Sequence, residues 1–158
     1  MSGLVLAAHV VLDPPPAGWR EQLARRLGTR PRRIGGWAEL ALHGARLCLD
    51  AAQEEQLPAG ALLRVVGVHG PMGATRLAAE QAREGLPLPF TFMQSQPSQM
   101  LAALGQHLGW QGDARYVLSR DAQASLQLAQ LECGSGGLLL GTVDEDRRTE
   151  WWRFLRSA

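Results

Sequence analysis

Ser119 and Asp121 are the residues best placed to do chemistry. They fall between an apolar run that ends at Leu118 and a helical pattern that begins at Ala122. A side chain at such a strand-to-helix turn sits beside free helix N–H groups, which stabilise negative charge. One chemistry open to this spot is hydrolysis, with Ser119 as nucleophile, Asp121 as the acid and one of His9, His43, His69 or His107 as base. Against it, Ser119 has no Gly-x-Ser-x-Gly elbow around it, and His43 and His107 fall inside helical patterns. The other reading gives Asp121 a structural task, capping the following helix through its free N–H groups.

The remaining reactive residue types point to little. Cys48 and Cys133 are too few for a disulfide framework or a metal site of familiar spacing, and Cys48 lies in an apolar helical stripe that suits a buried, inert thiol. Gly67, Gly70 and Gly73 recur every third residue, which is not dinucleotide-binding spacing, and no later acidic residue completes that motif. Gly134-Ser135-Gly136-Gly137 precedes an apolar strand rather than a helix, so it is no phosphate loop. No cofactor and no metal are expected.

Bulk properties set the frame for these residues. With 158 residues, 46% hydrophobic and 20% charged, the chain suits one globular domain with its own core. A net charge of +1 gives no general field to recruit nucleic acid or acidic membranes, and the basic residues are all arginine. The first residues lack a basic signal-peptide region, and no apolar run nears the roughly 18 residues of a membrane span, so a reducing cytoplasm is the expected setting.

Strands are predicted at Leu4–Leu12, Leu62–Val68, Arg115–Leu118 and Gly137–Val143 from apolar, valine- and leucine-rich runs. Helices are predicted at Trp19–Leu27 (closed by Gly28), Trp37–Gln56 (ended by Pro58), Ala74–Glu84, Ser98–Leu108 (closed by Gly109) and Ala122–Glu132. Pro87-Leu88-Pro89 is read as a break. Alternation of strands and helices predicts an α/β fold with a mostly parallel sheet covered by helices. The segment 146–158 is set apart as a Trp-rich tail, either a short helix folded back on residues 1–145 or an exposed anchor for another chain.

From Pro89 to about Ala122 the chain resembles β-ketoacyl-acyl-carrier-protein synthases. Pro89-Phe90 stands before the helix Ser98–Leu108, Gly109-Trp110-Gln111-Gly112-Asp113 occupies a glycine turn, and Ala114–Leu118 is the strand leading to the nucleophile. Val66-Gly67-Val68-His69-Gly70 with Met72-Gly73, and Leu139 to Glu145, resemble two further strands of that family. The resemblance covers about residues 34–145 and implies one half of a thiolase/ketosynthase-type domain. Counting from Gly112, the catalytic cysteine of the family falls on Asp121, or on Ser119 in a register shifted by two. Neither can carry an acyl thioester. The family's catalytic histidines and lysine come from a second half that this sequence does not contain. The pattern is similar to short chain-length-factor-like subunits of aryl-polyene-type pigment pathways, which implies a non-catalytic partner subunit rather than an enzyme.

That resemblance implies a heterodimer with a full ketosynthase, or self-association. Arg115, Tyr116, Val117 and Leu118 are then the pairing strand, with Trp151 and Trp152 as further interface candidates. Met72, Leu77, Phe92 and Met93 are candidates to line or close the partner's acyl tunnel, the alternative for each being an ordinary core residue. A scaffold role with an acyl carrier protein is the other expectation, drawn from Arg30, Arg32 and Arg33 and the acidity of such carriers.

Overall fold

The computed structural model describes residues 3–145 and 147–158. Strand β1 (Leu4–Leu12) ends at the proline run. Helices α1 (Trp19–Leu27) and α2 (Gly36–Ala51) follow, then β2 (Leu62–Gly67), α3 (Met72–Arg83), α4 (Pro89–Gln94) and α5 (Pro97–His107). Strand β3 (Ala114–Leu118), α6 (Ala122–Glu132), β4 (Leu138–Asp144) and β5 (Arg148–Arg156) complete the chain. Gly28 and Gly109 take left-handed backbone with φ of 73° and 61°, which lets α1 and α5 stop where the sequence placed their ends. The break expected at Pro87-Leu88-Pro89 is followed at once by α4, which was not predicted: Pro89 sits at its first turn, where a missing N–H costs nothing.

The five strands form one sheet in the order β1-β5-β4-β2-β3. Strand β2 pairs in parallel with β3 and β4, whereas β5 pairs antiparallel with β4 and with β1. The sheet is therefore mixed, with antiparallel pairing predominant by paired length, and not mostly parallel as expected. The cause is the segment 146–158. Neither a short helix nor an exposed anchor, its residues 148–156 form the strand inserted between β1 and β4, so this stretch is integral to the sheet and no separate tail.

One face of the sheet packs against α2, whose Leu40, Ala41, Ala45, Cys48 and Leu49 are fully buried, with α5 beside it contributing Met100 and Leu104. Trp151 of β5 is also fully buried there. Its indole fits between α2 and β4 because both contribute glycine: a Cβ at Gly44 would lie 2.5 Å from the ring, and one at Gly141 2.4 Å from it. On the opposite face α6 packs on β2 and β4 through Ala129 and Cys133. Three arginines among the described residues enter the interior with their charges answered: Arg46 of α2 bonds Asp50 and the carbonyls of Glu54 and Glu55. Arg153 of β5 is bidentate to Glu54 at 2.6 and 2.9 Å and donates to the Phe154 carbonyl, and Arg64 of β2 reaches Asp113 and Glu132.

Candidate functional site

The C-terminal ends of β2, β3 and β4 meet at one edge of the sheet and open into a cleft. A cavity of about 330 Å³ there is bordered by His69, Ser119, Arg120 and Asp144. A second cavity of about 600 Å³ shares His69 and Asp144 and adds Met72, Arg76, Glu145 and Arg147. The location follows from the topology, since parallel strands deliver their ends and the following turns to the same edge.

Each residue of the turn after β3 is held by a local contact. The Ser119 N–H donates to the Gly67 carbonyl at 3.0 Å, which pins the exit of β3 to β2. The Ser119 hydroxyl accepts from the Asp121 N–H at 3.0 Å. The Asp121 carboxylate accepts from the Gln123 N–H at 2.9 Å and is the N-cap of α6. A residue at either register of the expected nucleophile is thus engaged in shaping the turn.

No hydrolytic triad is assembled among the described residues. His69 borders the cavity with Ser119, but no hydrogen bond joins the two. His9 lies on β1, stacked on Trp152 at 5.3 Å and bonded to Glu150 at 2.8 Å. His43 is buried in α2 beside Trp19, and burial pushes its imidazole toward the neutral form, as it does for His107 at the end of α5. Cys48 and Cys133 are buried and free, and burial pushes the Cys48 thiol up to about 12. A thiol that rarely ionises is no nucleophile.

Of the tunnel candidates, Met72 is partly buried at the start of α3 beside the cleft. Leu77, Phe92 and Met93 are not core residues: their exposures are 48%, 60% and 53%. They belong to α3 and α4, which pack mainly on each other; Phe90 of α4 and Leu86 and Leu88 of the connection are exposed as well. Among the interface candidates, Arg115, Tyr116, Val117 and Leu118 form β3, the edge strand of the sheet, whose outer side pairs with no described strand. Leu118 is 73% exposed, while Tyr116 turns inward, edge-on to Trp37 at 5.6 Å. Trp151 is removed from the interface candidates, because it is fully buried in this chain's own core; Trp152 is half-buried against His9. Arg30, Arg32 and Arg33 lie exposed between α1 and α2.

Sequence reasoning missed the part played by the β4–β5 turn. Glu145 accepts from the Gly73 N–H at 2.8 Å and so caps α3 from across the cleft. The Asp144-Glu145 pair after an apolar strand was visible, but nothing local indicates which helix it reaches. Arg76, Arg120 and Arg147 around the cleft carry no spacing signal at all.

No family model matches the chain, and no curated protein matches its sequence significantly. Its fold does match a solved structure: a chain of the ketosynthase (ApeO) in complex with its chain length factor (ApeC) from Xenorhabdus doucetiae superposes with a TM-score of 0.64 at 12% sequence identity. The match covers 99% of this chain and 80% of that one. The protein thus has a ketosynthase-like α/β fold over essentially its whole length. Among the described residues no helix is long and apolar enough to cross a membrane.

Proposed function

We propose that this chain is a non-catalytic, ketosynthase-like subunit of the chain-length-factor kind, which pairs with a full ketosynthase and shapes its acyl tunnel in a pigment-type polyketide or fatty-acid pathway. The observation that carries the reading is the whole-chain fold likeness to a complex of a ketosynthase with its chain length factor, at 99% coverage of this chain. Two local features support it. The turn that would present a nucleophilic thiol holds Asp121 instead, and Asp121 is spent on capping α6. The edge of β3 offers unpaired backbone groups for strand addition, a common way of joining two sheets.

Co-expression with the ketosynthase encoded nearest to it, followed by size-exclusion chromatography with mass detection, tests the proposal. A one-to-one complex is expected, and Leu118→Pro, which removes an N–H on the open side of β3 and spares the ladder to β2, should weaken it by about tenfold or more. A stable lone homodimer that ignores the ketosynthase would replace this reading with an independent scaffold. Uptake of a labelled acyl group from a carrier thioester by the purified chain alone would overturn its non-catalytic character.

A further inference from the structure

At the opposite end of the sheet from the cleft, α5 and the loop entering β3 enclose an open groove of about 1170 Å³. That is at or beyond the upper end of ordinary small-molecule sites, roughly 300–1,000 Å³. Its chemistry is uniform. No ionisable side chain lines it, and its polar groups are the amides of Gln56, Gln106 and Gln111 with the hydroxyl of Ser98. Ala102 and Gly105 keep the exposed side of α5 low, so that a main chain can come close.

Trp110 gives the groove an unmet demand. The residue is only 5% exposed, yet its indole N–H has no acceptor among the described residues. The Nε1–Cζ2 edge of the ring faces Gly112, where a Cβ would lie 2.6 Å from Cζ2 and 3.3 Å from Nε1. Gly112 covers this edge of the indole, but it is exposed, carries no side chain and borders the groove, so only a small shift of that wall would bare the N–H to an occupant. A buried donor without a partner is costly and calls for a carbonyl.

The groove also continues an edge of the fold. Gly112 and Ala114 line it, and Ala114 is the first residue of β3, whose outer side is open. A strand added to β3 would run directly into the groove at its end. We propose that the groove seats an extended, uncharged polypeptide segment of the partner ketosynthase, adjacent in sequence to the strand that pairs with β3, with one of its backbone carbonyls accepting from the Trp110 indole. This rests on the partner-subunit reading and names the surface that makes the pairing specific. Neutral amides suit a peptide backbone; a charged ligand would find no counter-charge there.

The test uses the complex with the co-expressed ketosynthase. Ala102→Arg fills the groove from an exposed helix position where arginine is a good helix former, so the free chain should keep its melting temperature. Its complex should dissociate about tenfold or more readily. Replacing Trp110 by benzothienylalanine, which puts sulfur in place of the N–H and keeps the bicyclic ring, should weaken the complex by about fivefold, the value of one hydrogen bond. In the wild-type complex the indole ¹H–¹⁵N resonance of Trp110 should move and its hydrogen exchange should slow. If both variants bind like wild type and the indole resonance stays put while Leu118→Pro still breaks the complex, the groove is not a docking site and the pairing through β3 stands. If the wild-type chain forms no complex with the ketosynthase, both readings fall together.

Discussion

Asp121, or Ser119 in the shifted register, is where the sequence resemblance puts the thiol of a condensing enzyme, and the hydrogen bonds around both residues give them a structural task. Asp121 closes the first turn of α6, and the Ser119 hydroxyl is tied back to the Asp121 N–H. Neither side chain is held against a base. The thiols the chain does have are equally quiet. Cys48 lies in α2 with no exposed surface, and burial raises its pKa to about 12. At pH 8 only about one molecule in ten thousand then carries the thiolate, four units below the pKa. Native protein should therefore leave Cys48 unlabelled by iodoacetamide at pH 8, and the site should label fully in urea, as peptide mapping by mass spectrometry would read. Rapid labelling in the native state would contradict the packing of α2. This burial was legible in the sequence, because Leu40, Ala41, Gly44, Leu47 and Cys48 mark one stripe at helical spacing. The convergence of Arg76, Arg120 and Arg147 on the cleft was not, since it depends on how α3 and two turns meet and not on any local period.

At the scale of elements, β5 is the feature the sequence concealed. Thr149, Trp151 and Arg153 point into the core and Arg148, Glu150, Trp152 and Phe154 to the other face, which is strict strand alternation. The alternation is masked because an arginine holds an inward position, where apolar residues are expected, and because two adjacent tryptophans blur the period. Glu54, just beyond α2, makes this arrangement possible by meeting Arg153 with two hydrogen bonds. Removing the carboxylate should leave a guanidinium of 0% exposure without its counter-charge. Glu54→Ala is expected to destabilise the fold by about 3 kcal/mol, measured by urea unfolding. The double variant Glu54→Leu with Arg153→Met should recover much of that loss, since a packed apolar pair replaces a buried ionic one. An unchanged midpoint in the single variant would mean that the β5 register is held by something other than this pair. The other elements follow from pattern: β2 and β4 from continuous apolar runs, and α6 from its Asp cap. The direction of pairing does not, because apolar runs buried on both faces look the same whichever way the neighbouring strand runs.

The whole molecule exposes more large apolar side chains than its core explains, and they are grouped. Leu77, Leu86, Leu88, Phe90, Phe92 and Met93 lie on α3, α4 and their connection; Leu118, Leu128 and Leu131 lie on β3 and α6; Val5, Leu6 and Val11 lie on β1. Grouped apolar surface marks a place where another surface belongs. On the partner-subunit reading proposed above, the first group is the one suited to set a length. Helix α4 is short, and Phe92 and Met93 project from it without a packing role of their own, so a partner that surrounds them gains a wall whose position depends on their bulk. A close-packed wall transmits such differences, because an added CH₂ has nowhere to go. Phe92→Ala in the complex should shift the product distribution toward longer chains by about one two-carbon unit with little loss of turnover, and Phe92→Trp should shift it the other way. Mass spectrometry of carrier-bound products from the reconstituted pair reads both directions at once. If neither substitution moves the distribution while the complex remains intact, α4 does not border the acyl tunnel, and the apolar surface of α3 and α4 serves only to hold the two subunits together.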